Sequence, residues 1–276
     1  MTVSTVAVVK GPRGHEPVLN ALDLIDLKEA LKDWDRVLVK VNFITTKTWD
    51  TGATTDPIVV EAIIQRLQEL SKEVLVVESD ASITNATKAF KVTGMAEMCE
   101  RHGVKWINLR RDKDRVTLPI PGGTALKKIT VPRIVTESGI VSAAKMKTHT
   151  ETGVTLGMKN LFGLLPDKFK GKFHVKGMHK VVADIITAIN PHLTVVDGFV
   201  AMEGRGPVGG SPVRMETIVA GRDVVAVDAT ASRLMGIDPH EIVHIMMAHE
   251  RGLGEVDSVE VVGENLDDVV KVFKRP

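Results

Sequence analysis

The segment RVLVKVNFITTKTWDTGATTDPIVVEAIIQRLQELSKEVLVVES, residues 36–79, sets two β-branched runs on either side of one helical pattern. RVLVKV (36–41) and EVLVVES (73–79) are short and almost continuously apolar, the pattern of strands covered on both faces. Between them, Asp56-Pro57 has the form of a helix start, with Asp as the N-cap and Pro at the first helical position. Ile58, Val59, Ala62, Ile63 and Leu67 then recur at helical spacing. Strand, helix and strand in this order read as one unit of an α/β fold with a parallel sheet.

Working outward, the pattern repeats. TVAVV near Val6, VKWINL (104–109), GIVSAA (139–144), LTVVDG (193–198), ETIVAG (216–221) and SVEVVG (258–263) read as further strands. MHKVVADIITAIN and DVVAVDATASRLMG read as helices, the second with Asp223 as its N-cap. RVTLPIPGGTALKKITVP differs: two alternating runs flank Pro-Gly-Gly, so an antiparallel hairpin insertion is expected at about 115–131. There is no internal repeat and no low-complexity linker. The expectation is a single α/β domain over 1–276, a mostly parallel sheet with helices on both faces and one small hairpin.

Composition narrows the function classes. The chain has 276 residues, 43% hydrophobic, with 36 basic and 35 acidic residues and a net charge of +1. This balance gives no global attraction to nucleic acid or to an anionic membrane. Tyr is absent and aromatics are 4%, so stacking platforms for single strands are scarce. The one cysteine, Cys99, can neither close an internal disulfide nor hold an iron–sulfur cluster by itself, and reads as a buried structural thiol. No apolar run approaches the ~18–20 residues of a membrane span, and the first residues lack a signal-peptide pattern. The reading is a cytoplasmic protein with no nucleic-acid and no membrane partner.

In open α/β sheets ligands bind beyond the carboxyl ends of the strands. Polar groups leave several strand ends here: Asn42, then Glu78, Ser79 and Asp80, then Lys145, Lys147 and His149, and last Asp197 with MEGRGPVGG. Loops are polar simply because they are wet, but these are also long and rich in Gly and Thr. The stretch KMKTHTETGVTLGMKN (145–160) is the densest. So many polar residues are not expected in a core, so the strand is expected to stop near Ala144 and open onto a site.

Lys147 and Lys159 are donors for a phosphate or carboxylate, or proton carriers if burial lowers their pKa; solvation at the surface is the ordinary fate of Lys. Thr155 and Asn160 lie in the same Gly/Thr-rich run, which is not a Walker A sequence. In EGRGPVGG, Gly204 and Gly206 permit close backbone approach and Arg205 offers a planar fork, though a tight turn explains the glycines equally well. His149 and His174 are candidate acid–base groups beside Lys147 and Lys159; with Asp197 and Glu203 they are also candidate ligands for a divalent metal. His179 reads as structural or exposed. Asp228, a carboxylate among apolar helical neighbours, either points to the site or bonds backbone, and the sequence leaves both open.

HEIVH (240–244) matches the zinc metalloprotease motif H-E-x-x-H. Helix initiation explains it as well: Asp238 as N-cap, Pro239 at the first position, Glu241 completing a capping-box-like pattern. No third ligand stands at the required spacing.

The phrases KMKTHTETGVTLGMKNLFG, KFKGKFH, LTVVDGFVAMEGRGPVGG and DVVAVDATASRLMGIDP resemble the domain of unknown function family 362. The likeness runs from KVNF to RGLG at 251–254. By position it carries over Lys147, Thr148, His149, Gly153, Thr155, Lys159, Asn160, Gly163, His174, Asp197, Gly198, Glu203, Gly204, Gly206, Pro207 and Asp228. Members of that family often carry ferredoxin-like iron–sulfur modules, which implies a redox partner; this chain has no such cysteines, so no intrinsic cluster is expected. A looser similarity to lactate-racemase-like proteins implies nickel-pincer nucleotide chemistry. Taken together, the expectation is an enzyme that binds a small anionic, phosphate- or carboxylate-bearing metabolite or cofactor at the carboxyl edge of the sheet. The alternative is a non-catalytic accessory protein that carries a ligand or metal to a ferredoxin-like redox partner.

Overall fold

In a computed structural model, residues 3–167 and 169–276 are described. Lys168, part of the basic segment singled out in the sequence, lies outside them. The strands are β1 (Ser4–Lys10), β2 (Arg36–Lys40), β3 (Glu73–Glu78), β4 (Lys105–Asn108), β5 (Arg115–Pro119), β6 (Lys128–Pro132), β7 (Gly139–His149), β8 (Gly153–Thr155), β9 (Leu193–Glu203), β10 (Ser211–Val213), β11 (Thr217–Gly221) and β12 (Val259–Gly263).

The main sheet has the order β12-β1-β11-β9-β7-β2-β3-β4. From β9 to β4 every pairing is parallel, and β1 pairs parallel with β12; β11 runs antiparallel to both of its neighbours. Since β11 opposes both β1 and β9, those two run the same way. β5 and β6 form the separate antiparallel hairpin that the alternating runs predict. Its loop is pinned by Asp184, whose carboxylate accepts from the N–H groups of Thr124, Ala125 and Leu126.

Apolar alternation sends successive strand residues to opposite cores. Val6, Val8 and Leu38 face one core, completed by the helices Met178–Ala188 and Val224–Leu234 and by the hairpin. Ala7, Val37 and Val39 face the other, under the helices His15–Leu24, Pro57–Glu69 and Met95–Arg101. The caps work as their residue types dictate: Asp56 accepts from Ile58 N–H, and Asp223 from Val225 and Ala226 N–H. Cys99 is buried and unpaired, and burial pushes its thiol up to about 12. Among the described residues, no helix is long and apolar enough to cross a membrane.

The expected end of the strand at Ala144 is wrong. β7 continues through Lys145-Met146-Lys147-Thr148-His149, and all eleven of its residues are buried. β9 likewise runs past Gly198 to Glu203. The two long strands lie side by side, and the short β8 and β10 pair antiparallel to their outer ends. Backbone satisfaction on both sides keeps β7 extended while its polar side chains find partners inside the fold. Lys145 ion-pairs with Asp197 at 2.8 Å, in register on β9, with both side chains fully buried. A charge is tolerated in an interior on such terms.

Candidate functional site

Beyond the carboxyl ends of β2, β3 and β7 lies a cavity of about 300 Å³. Asn42, Glu78, Lys147, His149, Thr155, Lys159, Asn160 and His174 line it, so the residues named from β2, β3, β7 and the loops after them converge. Lys40, Ser79, Phe162 and Lys170 line it too. Of these, Ser79 was named with the strand-end polar groups, whereas Lys40, Phe162 and Lys170 were not singled out from the sequence. Lys40 carried a usable signal: a lone lysine in a strand buried on both faces requires an interior acceptor.

The floor is one hydrogen-bonded network. Lys40 Nζ reaches Glu78 Oε2 at 2.9 Å, Val41 O at 2.6 Å and Asn160 Oδ1 at 3.1 Å. Glu78 also accepts from the N–H groups of Phe43 and Ser79. Asn160 donates to Lys40 O and Ser142 Oγ, and its Oδ1 also accepts from Asn42 Nδ2. The bonding capacity of Asn160 is thereby used up, and Asn42 is similarly engaged; both build the floor. Gly163 lies so close to Glu78 and Lys40 that a Cβ there would collide with both side chains.

Two lysines in the cavity differ from this pattern. Lys147 is fully buried, yet among the described residues its ammonium meets only neutral acceptors, Asn42 Oδ1 at 2.7 Å and Ala53 O at 2.6 Å. Burial, with the positive charge of Lys159 and Lys145, pushes its pKa well below the ordinary 10.5. Lys159 is partly exposed to the cavity; among the described residues it has neither a hydrogen-bond acceptor nor a carboxylate partner, and its Nζ stands 5.9 Å from the centroid of the Phe162 ring. Burial lowers it to about 8. Lys170 is brought to about 8 by burial as well, with its Nζ 2.7 Å from Ser79 Oγ and 5.2 Å from the same ring centroid. Thr155 Oγ1 is buried in the wall and has no partner among the described residues.

Asp228 settles between its two readings. It accepts from Gly157 N–H at 2.7 Å and Met158 N–H at 2.9 Å, and so holds the turn Gly157–Asn160 that carries Lys159. It lies behind the site; burial raises its pKa to about 7 against those two bonds.

The histidines are used otherwise than expected. His149 Nδ1 accepts from the N–H groups of Glu151 and Thr152, which leaves the proton on Nε2. Burial and the neighbouring lysines lower its pKa to about 2, so the ring stays neutral and serves as a donor, not as an acid–base group at neutral pH. His174 pairs with Glu151 at 2.6 Å on the rim. The proposed metal set does not assemble. Asp197 is enclosed by Lys145 and the N–H groups of Asp56 and Phe199, and Glu203 accepts from Lys274 N–H in the C-terminal segment. Among the described residues, no three of His, Cys, Asp and Glu are grouped to hold a metal ion. Gly204, Arg205 and Gly206 are not in the cavity wall, although Pro207 is; Gly206 packs against the Thr148 carbonyl too closely for a Cβ.

HEIVH does not form a zincin helix. His240 sits in a 3-10 turn, Pro239–Glu241, and pairs with Asp238 and Asp257 at the surface. His244 belongs to the next helix, Val243–Glu250, is fully buried, and bonds His179 Nδ1 at 3.0 Å. Asp238 caps the turn through His240 N–H as expected, but Glu241 bonds Arg275 instead of completing a box.

With this geometry in view, comparison with known proteins adds one relative and a family. The chain is similar to a thylakoid-associated protein of Synechocystis sp., 28% identical over 227 residues, covering 80% of this chain and 69% of the relative. No solved structure matches the chain. Residues 37–233, which include the β-strands and turn that build the cavity, match the family described as Domain of unknown function (DUF362), and the chain belongs to that family.

Proposed function

We propose that the chain is an enzyme acting on a small anionic metabolite or cofactor, phosphate- or carboxylate-bearing, held in the cavity beyond β2, β3 and β7. One observation carries this reading. Lys40 and Lys145 each have a buried carboxylate, whereas Lys147 and Lys159, in the same region, have none among the described residues. An interior charge without a counter-charge costs several kcal/mol, a cost that a bound anion offsets. The unpartnered hydroxyl of Thr155 and the Nε2–H of His149 are further donors in the wall. Amines near pKa 8 at Lys159 and Lys170 can give or take a proton close to neutral pH, which favours acid–base chemistry over passive binding. The cytoplasmic setting remains part of this reading.

The test is a thermal-shift screen over phosphorylated and carboxylated metabolites at fixed ionic strength, with sulfate and chloride controls. At least one anion raises Tm beyond the controls, and Lys159→Ala loses most of that shift while keeping its own fold. A wild type indifferent to every anion, or a Lys159→Ala variant with an undiminished shift, refutes the assignment.

A further inference from the structure

The lysines around the cavity are not equivalent in how firmly they are held. Lys40 is fixed by Glu78, Val41 O and Asn160; Lys147 by Asn42 and Ala53 O; Lys170 by Ser79 Oγ. Lys159 is the exception among the described residues: its amine bonds nothing and projects into the cavity from a turn clamped by Asp228. Its positioning is rigid at the backbone and free at the amine. We propose that Lys159 is a nucleophile that forms an imine with a small oxo acid, so that the anion taken by this site bears a ketone or aldehyde carbonyl beside its carboxylate. The inference rests on the anion-site reading, with Lys147 and the Nε2–H of His149 as the groups that receive the carboxylate.

Several features support that chemistry. A nucleophilic lysine needs an uncharged amine, and burial, acting against the charge of Glu151, supplies one here. Lys159, brought to about 8, is roughly one-tenth neutral at pH 7 and about half neutral at pH 8. The step balances within the cavity. The Lys159 amine adds to the carbonyl carbon and its proton passes to the carbonyl oxygen, giving a carbinolamine. The carbinolamine hydroxyl then takes a proton from the Lys170 ammonium and leaves as water while the nitrogen lone pair forms the C=N bond, giving the protonated imine and a neutral Lys170 amine; return of the imine N–H proton to Lys170 gives the neutral imine. Lys159 and Lys170 stand 5.9 Å and 5.2 Å from one ring centroid, that of Phe162, which places the proton donor in the same part of the cavity. A volume of about 300 Å³ suits an acid of a few carbons.

The experiment is reductive trapping of the full chain with pyruvate or glyoxylate and sodium cyanoborohydride, followed by intact mass and peptide mapping. The expected result is one adduct per chain, mapped to Lys159, suppressed by oxalate, which has the charge but no ketone or aldehyde carbonyl. Lys159→Arg keeps the charge and the oxalate-induced rise in Tm but gives no adduct. If oxalate raises Tm and the oxo acids leave Lys159 unmodified, or label surface lysines indiscriminately, imine formation is overturned while the anion site stands. If oxalate and the oxo acids produce neither a thermal shift nor an adduct, the imine proposal falls, and the anion site falls with it only where the screen of phosphorylated and carboxylated metabolites is blank as well.

Discussion

The ammonium of Lys147 donates to Oδ1 of Asn42 across 2.7 Å, a charged donor meeting a neutral acceptor inside the fold. A short distance away Lys40 meets Glu78, a buried pair at 2.9 Å with side-chain exposures of 1% and 5%. On the proposed reading Lys40 belongs to the scaffold and Lys147 is held for a ligand, and the two should respond differently to substitution. Lys40→Met strands Glu78, so its folding free energy, read by urea denaturation, should fall by about 3–5 kcal/mol. Adding Glu78→Gln should recover much of that loss. A single variant within about 1 kcal/mol of wild type contradicts the scaffold role.

The turn that carries Lys159 depends on Asp228. Asp228→Ala leaves two buried N–H groups, of Gly157 and Met158, without acceptors. The expected cost is about 1–3 kcal/mol for each unsatisfied group, together with a weakened anion response because Lys159 is no longer positioned. Equilibrium unfolding and anion titration check the two effects separately. Lost stability with an unchanged anion affinity would confine Asp228 to the scaffold.

Burial and neighbouring charge determine the pH dependence. Lys159 and Lys170 are depressed from 10.5 to about 8, so the unfolded chain binds their protons more tightly than the folded one. The native state therefore bears a cost below about pH 8, and stability attributable to these groups rises as pH goes from about 8 towards the ordinary lysine range. The contribution of Lys159 and Lys170 to anion binding has the opposite sign, since it needs their ammonium forms: it is largest below about pH 8 and falls as pH rises through that value. Calorimetry in two buffers of different ionisation enthalpy should reveal net proton uptake on binding between pH 8 and 9. Binding without proton exchange over that range argues against these lysines as the ligand's partners.

The tempting zinc motif gives a prediction of no effect. His240 is exposed and His244 faces His179 inside the fold, so the two do not share a metal. His240→Ala should change folding by no more than about 0.5 kcal/mol, as surface substitutions do. Elemental analysis of the wild type and of His240→Ala/His244→Ala should give the same zinc content. Stoichiometric zinc that disappears in the double variant would reverse the assignment.

Much of the fold was legible because its elements carry period and punctuation. The run RVLVKV, the Asp56-Pro57 start and the Pro-Gly-Gly hairpin each announce an element locally, and the structure has all three. The carboxyl edge was legible for the same reason, since Asn42, Glu78 and Lys147 follow recognisable apolar runs. What failed was the inference from polarity to exposure at KMKTH. Its burial depends on partners distant in the chain, Asp197 for Lys145 and Asn42 for Lys147, which no local pattern shows. The same non-local pairing took Asp197 out of the metal set, whereas His149 Nδ1 is taken by backbone two and three residues further along. Lys170 entered the site because the chain after Gly163 folds back over Ser79, and the sequence gives no period for that path.

Lys147→Met examines the central claim most directly. The claim is that this lysine is kept at an energetic cost for a ligand. Calorimetric titration of a small anion selected in the screen, at pH 7 and fixed ionic strength, should give saturable binding to wild type. Charge-assisted bonds are worth about 1.5–3 kcal/mol each, so binding to Lys147→Met should weaken by roughly ten- to a hundredfold. Relief from burying an uncompensated amine should at the same time offset the loss of a donor to Asn42 Oδ1 and Ala53 O, so the unfolding free energy should stay within about 1 kcal/mol of wild type. Equal affinity for the anion in the two proteins, or a Lys147→Met variant that keeps binding and loses stability as Lys40→Met does, would contradict the account.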